Sequence, residues 1–259
     1  MSVIDVAKTD PTAGKAIKAP ASPWSMALRR FTRNKLALIG FIILVIMFVV
    51  CFFGPLFSPY ELEDYKISMK NKPPSAEHWL GTDNLGRDIL LRVMLAGRIS
   101  LLVGLISTTI SVIVGATMGS IAGFYGRVAD TVIMRITDIF MAMPTLPILI
   151  ILGAVLSDLK VDPKYRIFFL MLIIGILGWT TMARLVRGQI LSLREMEYMQ
   201  AVDALGIRDR RKIFRHLLPN TVPIIIVAAT LSVAGAILYE SVLSYLASAS
   251  FRRHRHGAI

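Results

Sequence analysis

The chain alternates between long apolar runs and shorter polar segments. A helix that crosses a hydrocarbon core of roughly 30 Å needs about 20 mainly apolar residues. Five runs reach or approach that length, and they cover residues 36–53, 101–124, 139–156, 167–183 and 222 into the 240s. This pattern predicts an all-α integral membrane protein with five transmembrane helices.

Small residues recur inside the second run. Ser111, Gly115, Gly119 and Gly123 occupy every fourth position, so they share one face of a helix. Small side chains let a neighbouring backbone approach closely within a membrane. We therefore expect this stripe to be a helix-packing surface.

Prolines modify the third and the fifth runs. Pro144 and Pro147 each lack an amide donor and obstruct a regular turn, so the third span is predicted to be kinked or broken near its start. Before the fifth run, Asn220 or Thr221 is predicted to cap the helix, with Pro223 in its first turn.

A polar and basic stretch, EYMQAVDALGIRDRRKIFRHLLPN, precedes the fifth run and covers residues 197–220. Good helix formers over 198–205 predict a short helix that ends at Gly206, because glycine readily adopts the left-handed conformation. Asp209 is predicted to cap a second short helix over 210–218, which Pro219 closes.

The first of these short helices has an apolar face formed by Met199, Val202 and Leu205, while Ala201 and Ala204 keep its surface slim. Such a helix can enter a groove on a partner protein. The alternative is a solvated loop whose apolar residues rest on lipid headgroups. The pattern alone does not separate these two interpretations.

Composition supports the membrane interpretation and narrows the candidate chemistry. Hydrophobic residues make up 55% of the 259 residues, and the net charge is +12. Nucleic-acid binding is not expected, because the cations lie at the ends of apolar runs rather than on one solvated face. Cys51 is the only cysteine, which excludes an intrachain disulfide. The four histidines show no metal-ligand spacing, so no metal site is predicted.

The distribution of cations predicts the orientation in the membrane. Seven Lys and Arg against two Asp in the first 35 residues, and eight Lys and Arg against four acidic residues in 184–220, place both segments on the cytoplasmic side. The predicted organisation is a cytoplasmic segment 1–35 and a transmembrane domain 36–246, with an external loop 58–97 and a cytoplasmic loop 184–220. A basic tail, 247–259, follows on the unexpected side.

A few charged residues lie in or beside the spans. An ionisable group near the centre of a span costs roughly 2.5–3.5 kcal/mol, so Glu240 is expected to face protein or water. Glu240 and the kink at Pro144 are candidates for a translocation path, although Glu240 could equally reach the interface. Asp130, Arg135 and Asp138 are interpreted as neutralising one another at the membrane edge.

Several motifs, in order along nearly the whole chain, resemble those of ABC importer permeases for dipeptides and oligopeptides, particularly the second of their two permease subunits. These motifs are SPWSMALRRFTRNKLALIGF, PSAEHWLGTDNLGRDILLRVMLAGRISLLVG, DTVIMRITDIFMAMP, RHLLPN and YESVLSYL. The signature loop of ABC importer permeases reads Glu-Ala-Ala, three residues, Gly, nine residues, then Ile-x-Leu-Pro. Here Gln200, Ala201 and Val202 stand for Glu-Ala-Ala, and His216 stands for Ile.

The resemblance implies a type I-like importer fold and a role for two segments. The loop 184–220 would be the ATPase-coupling loop, with contact residues Met199, Gln200, Ala201, Val202, Ala204, Leu205, Gly206, Leu218 and Pro219. The external GTDNLGRD segment would shape a vestibule or a dock for a binding protein, through Gly81, Asp83, Gly86, Arg87 and Asp88. A simple turn with internal charge pairing is the alternative for that segment.

The resemblance also implies partners. These are a second permease subunit, two cytoplasmic ATPase subunits and an external solute-binding protein, all around a chain embedded in membrane lipid. The sequence holds no Gly-x-x-x-x-Gly-Lys-Ser/Thr phosphate loop, so this chain is expected to bind no cofactor and to leave ATP and Mg²⁺ to the ATPase subunits. It is expected to be a transport subunit of the bacterial inner membrane and not an enzyme.

Family members have six spans and continue after YESVLSYL, whereas ASASFRRHRHGAI follows here. We therefore expect a chain that lacks the last transmembrane helix, in which 247–259 is an aberrant tail and transport is weak. Two further functions stay open: a permease for nickel, glutathione or another small solute, and a non-transporting membrane scaffold whose basic loop recruits a cytoplasmic partner.

Overall fold

The computed structural model describes residues 31–61, 64 and 66–256. Most of the predicted segment 1–35, and the last three residues of the predicted tail, lie outside the described residues. Within the described ranges the only β pairing is an isolated antiparallel bridge between Thr82 and Asp88. The all-α prediction is confirmed.

Eight α-helices are found in the described part of the chain. They are α1 (Lys35–Phe53), α2 (Ile89–Tyr125), α3 (Arg127–Ala142), α4 (Thr145–Asp158), α5 (Pro163–Arg194), α6 (Glu197–Ala204), α7 (Asp209–Arg211) and α8 (Leu218–His256). Short 3₁₀ turns cover Gly54–Phe57 and Ile67–Met69. A π-helical turn, Lys212–Leu217, leads directly into α8.

Four segments are long and apolar enough to cross a membrane, and there are five if the bent pair α3 and α4 counts as one span. This agrees with the five predicted spans. The pair bends by 73° at Met143 and Pro144, so the predicted break near the start of the third span is confirmed. Pro147 is tolerated because it lies in the first turn of α4.

The helices extend into segments that were predicted to be loops. Helix α2 begins at Ile89 rather than near residue 101, and α5 continues to Arg194 through the start of the predicted loop 184–220. Helix α3 occupies most of the segment between the second and the third apolar runs. Hydropathy misses it because charged and apolar residues alternate along this amphipathic helix.

The predicted start of the last span is wrong. Because α8 begins at Leu218, Asn220 and Thr221 lie inside the helix and do not cap it. Pro223 likewise lies within the helix, beyond its first residues. Asn220 instead donates a side-chain hydrogen bond to the carbonyl oxygen of His216 at 2.8 Å.

The two short helices before this span are partly as predicted. Gly206 has a φ of 63°, which confirms the left-handed residue directly after α6 and its C-cap. Asp209, in contrast, is the first residue of α7 and not its cap. Pro219 does not close a helix, because helical structure continues from the π-helical turn directly into α8.

The chain divides into two compact units at Val50 and Cys51, within α1. Helices α2 to α8 belong to the second unit, and α2 packs mainly against α5 and α8. Two apolar clusters form its core. The first cluster contains Ala116, Met182, Val186, Ile190, Met199, Leu217 and Ile225. The second cluster contains Val103, Leu149, Met171, Ile174, Ala236 and Leu243.

The small-residue stripe of α2 lies directly against α5. A Cβ atom added at Gly119 would lie 2.4 Å from the carbonyl oxygen of Ala183, and one added at Gly115 would lie 2.6 Å from Cβ of Met182. At Gly123 the added atom would meet Cβ of Ile190 at 2.8 Å. The two helix backbones therefore approach too closely for larger side chains here.

Candidate functional site

A cavity of about 290 Å³ lies among α2, α5, α8 and the bend between α3 and α4. Along α2, α5 and α8 its lining residues fall between members of the first and the second core cluster, which places it partway along the helices. Hydroxyl groups dominate its polar lining; they belong to Ser107, Thr108, Ser111, Thr145, Thr180, Thr181, Ser232 and Tyr239.

Two of these hydroxyls have no hydrogen-bond partner within the described residues. Ser107 is 1% exposed and Thr108 is 6% exposed, and neither Oγ of Ser107 nor Oγ1 of Thr108 is bonded. Ser111, one turn later, donates to the carbonyl oxygen of Gly175 at 2.8 Å. Leaving a buried hydroxyl unsatisfied costs about 1–3 kcal/mol, and both residues belong to the lining of the cavity.

The bend at Pro144 forms one wall of this cavity. Phe140 and Met141 at the end of α3, and Thr145 at the start of α4, all line it. The ring of Phe140 lies edge-on to Trp179 of α5, with centroids 6.1 Å apart. The break in the third span therefore brings both of its helix ends to the cavity.

Glu240 lies near the middle of α8, next to the cavity-lining Tyr239. Its two carboxylate oxygens accept hydrogen bonds from Ser100 of α2 at 2.7 Å and from Ser244 at 2.8 Å. The side chain is half-buried. Glu240 thus faces protein, as expected, and joins α8 to α2; it does not line the cavity itself.

The coupling segment, residues 197–220, presents only part of its predicted contact face. Met199 is completely buried in the first core cluster, and Val202 packs against that cluster. The interpretation that Met199 offers an apolar face to a partner is therefore wrong, whereas Val202 is only half-buried. Leu205 is 76% exposed, and the exposed face of α6 also contains Gln200, Ala201 and Ala204.

The second half of the coupling segment is held to the first by one lysine. Nζ of Lys212 lies 2.6 Å from Oδ1 of Asp203 and 3.6 Å from Oδ1 of Asp209. Leu218 packs beside the first core cluster, and Pro219 is exposed. Gly206 has open space around it, so its role here is the left-handed turn and not close packing.

Two ion pairs join α3 to α5. Arg187 Nη2 lies 2.6 Å from Oδ2 of Asp130, and its Nε contacts the other oxygen. Arg184 Nη2 lies 2.5 Å from Oδ1 of Asp138. The prediction that Asp130 and Asp138 are neutralised by neighbours on their own helix is therefore wrong, because the partners come from α5.

The GTDNLGRD segment, residues 81–88, is a tightly bonded turn. Oδ1 of Asp83 accepts from the backbone N–H groups of Leu85 at 2.8 Å and Arg87 at 2.9 Å, and Asp83 also pairs with Arg92. Burial acts to raise the pKa of Asp83, but these amide donors and Arg92 outweigh it, so the pKa lies below its ordinary value.

Glycines make this turn possible. Gly86 has a φ of 76°, and a Cβ there would lie 1.9 Å from the carbonyl oxygen of Lys66. Gly81 has a φ of 75°, and a Cβ there would lie 2.5 Å from the carbonyl oxygen of Lys72. Both positions are buried. The segment is therefore a packed structure and not a free loop.

The turn contains a buried pair that sequence reasoning missed. Asp88 caps α2 by accepting from the backbone N–H of Leu91 at 2.8 Å, and its other oxygen lies 2.9 Å from Nδ1 of His78. The ring of Tyr60 stacks on His78 with centroids 4.6 Å apart. An aspartate before an apolar run signals the cap, but nothing local signals the histidine. No group of three or more potential metal-binding side chains occurs in the described residues.

Comparison with known proteins matches this arrangement to a family. Residues 115–253 match the family described as "Binding-protein-dependent transport system inner membrane component", and residues 22–74 match the "N-terminal TM domain of oligopeptide transport permease C".

Three relatives illustrate the similarity. The chain is 42% identical over 234 residues to the oligopeptide transport system permease protein OppC of Bacillus subtilis. The aligned region covers 90% of this chain and 74% of the relative. It is 38% identical over 232 residues to the dipeptide transport system permease protein DppC of the same organism (89% and 70%). It is 39% identical over 225 residues to DppC of Alkalihalophilus pseudofirmus (87% and 72%). The chain therefore belongs to the family of inner membrane components of binding-protein-dependent transport systems, the ABC permeases, and is a multi-pass transport subunit rather than an enzyme.

Proposed function

We propose that this chain is one of two permease subunits of an ATP-driven importer of dipeptides and oligopeptides. Its partners are a second permease, two cytoplasmic ATPase subunits that bind ATP and Mg²⁺, and an external peptide-binding protein. The observation that carries the solute assignment is the hydroxyl-lined cavity with two unpartnered hydroxyls. Relatives named as oligopeptide and dipeptide permeases support the same assignment.

The chemistry of the cavity suits a peptide backbone. Among the described residues that line it, none is charged. Serine and threonine hydroxyls both donate and accept, so they pair with the carbonyl and N–H groups that every peptide carries, whatever its side chains. The volume of about 290 Å³ is near the lower end of the usual range for ligand pockets, about 300–1,000 Å³. It suits one or two residues of a passing chain.

The packing of α6 supports a coupling route to this cavity. Met199 of α6 shares the first core cluster with Met182 and Val186 of α5, and the preceding turn of α5 contributes Gly178 and Thr181 to the cavity. An ATPase that grips the exposed face of α6 would move the end of α5 with it, because packed interiors transmit displacement. This movement of α6 and the end of α5 would open or close the cavity on one side.

Orientation completes the proposal. We place the N-terminus and the coupling segment in the cytoplasm, where the cations of residues 1–35 and 184–220 are retained. The packed GTDNLGRD turn then faces outward. Trp79, two residues before this turn, is 72% exposed and would contact the external binding protein.

The test uses the complete transporter in proteoliposomes with internal ATP and labelled dialanine. The double variant Ser107→Ala with Thr108→Val should lower the uptake rate about tenfold, if each hydroxyl contributes about 0.5–1.5 kcal/mol to holding the passing peptide. ATP hydrolysis stimulated by the binding protein should persist, because α6 is unchanged.

The matched control is Thr109→Val with Thr117→Val. These threonines, of which Thr109 is exposed and Thr117 half-buried, lie on the same helix outside the cavity lining. They bond to carbonyl oxygens of their own helix at 2.7 Å each, so uptake should be preserved. An equal loss of uptake in both double variants would show that the cavity does not lie on the transport path. Uptake of nickel or glutathione, without uptake of or competition by dialanine, would overturn the peptide assignment.

A further inference from the structure

A surface recess of about 350 Å³ lies where the coupling segment turns into the last span. Its lining consists of Arg208, Arg210, Arg211, Arg215 and Phe214, and we refer to it as the arginine recess. All four arginines are exposed, and Phe214 is 49% exposed. Four cations thus surround one aromatic ring on a single face.

The charges of the recess are not neutralised by the described part of the chain. The two carboxylates nearest in sequence, Asp203 and Asp209, both pair with Lys212. None of the six ion pairs found among the described residues includes an arginine of the recess. Like charges this close repel one another, so the recess is suited to an external anion.

The position of the recess indicates which anion. Phe214 begins an exposed apolar stripe that continues along the last span through Val222 and Ile226, which are 40% and 54% exposed. The arginines lie at the end of this stripe, where the candidate span begins. Arginines beside an apolar span reach the level of the lipid headgroups, and basic pockets there hold anionic headgroups.

We propose that the arginine recess binds the phosphate group of an anionic phospholipid in the leaflet next to the coupling segment. Guanidinium groups donate paired hydrogen bonds that match phosphate oxygens, and Phe214 packs against the acyl chains. An acidic surface on an ATPase subunit would match the cations but not the apolar stripe, so the stripe favours lipid. Bound lipid would hold the π-helical turn between α7 and α8 at a defined depth.

The experiment titrates phosphatidylglycerol into micelles that contain the purified full-length chain, with bound lipid counted by native mass spectrometry. The variant Arg211→Gln with Arg215→Gln should weaken binding about tenfold or more. Phosphatidylcholine should bind weakly to both proteins, because its headgroup carries no net charge. The charge-preserving pair Arg211→Lys with Arg215→Lys should show an intermediate loss, because lysine lacks the paired donors.

The matched control, Arg33→Gln with Lys35→Gln, removes two exposed cations beside the first span and should change binding less than about threefold. An equal loss of lipid binding in this control would show that binding depends on general surface charge and not on the recess, and would overturn the proposal. Competition by millimolar inorganic phosphate as effective as that by the lipid would overturn the lipid assignment in favour of a free anion. Unchanged lipid binding with loss of ATPase co-purification would assign the recess to the ATPase instead. Thermal unfolding in phosphatidylcholine micelles checks that each variant is folded.

Discussion

The contact between α2 and α5 makes a quantitative prediction for Gly119→Ala. The added Cβ would lie 2.4 Å from the carbonyl oxygen of Ala183 and 3.0 Å from Cβ of Val186. The closest atom belongs to a backbone, so it cannot rotate away as a side chain would. The two helices must separate locally, and such overpacking typically costs about 1–3 kcal/mol.

A second effect acts in the opposite direction. Alanine is favoured over glycine inside a helix by about 1 kcal/mol, so the net loss expected for Gly119→Ala is about 0–2 kcal/mol. The control Gly188→Ala, on α5, isolates the second effect because a Cβ there meets nothing within 4 Å. It should gain about 1 kcal/mol. The difference between the two variants, about 1–3 kcal/mol, is therefore the cost of the contact.

The assay is reversible unfolding of the purified chain in mixed micelles, as the mole fraction of a denaturing detergent rises and tryptophan fluorescence is recorded. Gly119→Ala should unfold at a lower fraction than wild type, and Gly188→Ala at an equal or higher one. If both variants unfolded together, the close approach of α2 and α5 would not govern stability and the packing argument would fail.

Three further perturbations separate the roles of neighbouring residues. Gly206→Pro should uncouple ATP hydrolysis from peptide uptake, because its φ of 63° is closed to proline; coupled uptake at the wild-type ratio would show that the turn does not transmit motion. Met199→Ala should lower the free energy of unfolding by about 2–5 kcal/mol, because Met199 is fully buried. Leu205→Ala should change the free energy of unfolding by no more than about 0.5 kcal/mol, because Leu205 is exposed, and it should reduce ATPase binding. Reversal of that pattern would mean that Met199 is the partner contact. Asp83 has a lowered pKa, so it stabilises the turn fully above its unfolded pKa of about 3.9 and loses that contribution as the pH falls through the lower folded value. Hydrogen exchange of residues 66–88 in the wild type should therefore rise over that acid range. An equal rise in Asp83→Asn would disprove the assignment.

Much of the architecture followed from local patterns. The apolar runs located the spans because crossing a bilayer requires about 20 apolar residues in a helix, and Pro144 located the break because proline removes an amide donor. Gly206 predicted its left-handed turn because glycine readily adopts that conformation. Each of these features depends on residues within a few turns of one another, and the structure agrees with each.

Two of the errors share one cause. Helix α3 was not predicted, because its charged residues were interpreted as a loop. In the structure, Asp130 and Asp138 pair with arginines 57 and 46 residues away. Met199 was predicted to contact a partner because it lies on the apolar face of a short polar helix, and only the packing of α6 on α5 shows that it is buried. Long-range pairing of this kind leaves no periodic signal in a single sequence.

By itself the sequence determined that this is a helical membrane protein, where its spans lie, where one of them breaks and which family motifs it carries. These follow from hydropathy, proline, glycine and motif order, which act over short stretches of chain. Only the tertiary structure decided which hydroxyls meet in a cavity, which face of α6 remains exposed and which arginines lack a partner among the described residues. Those properties depend on which helices pack together, and packing is settled by burial and close contact between residues far apart in the chain.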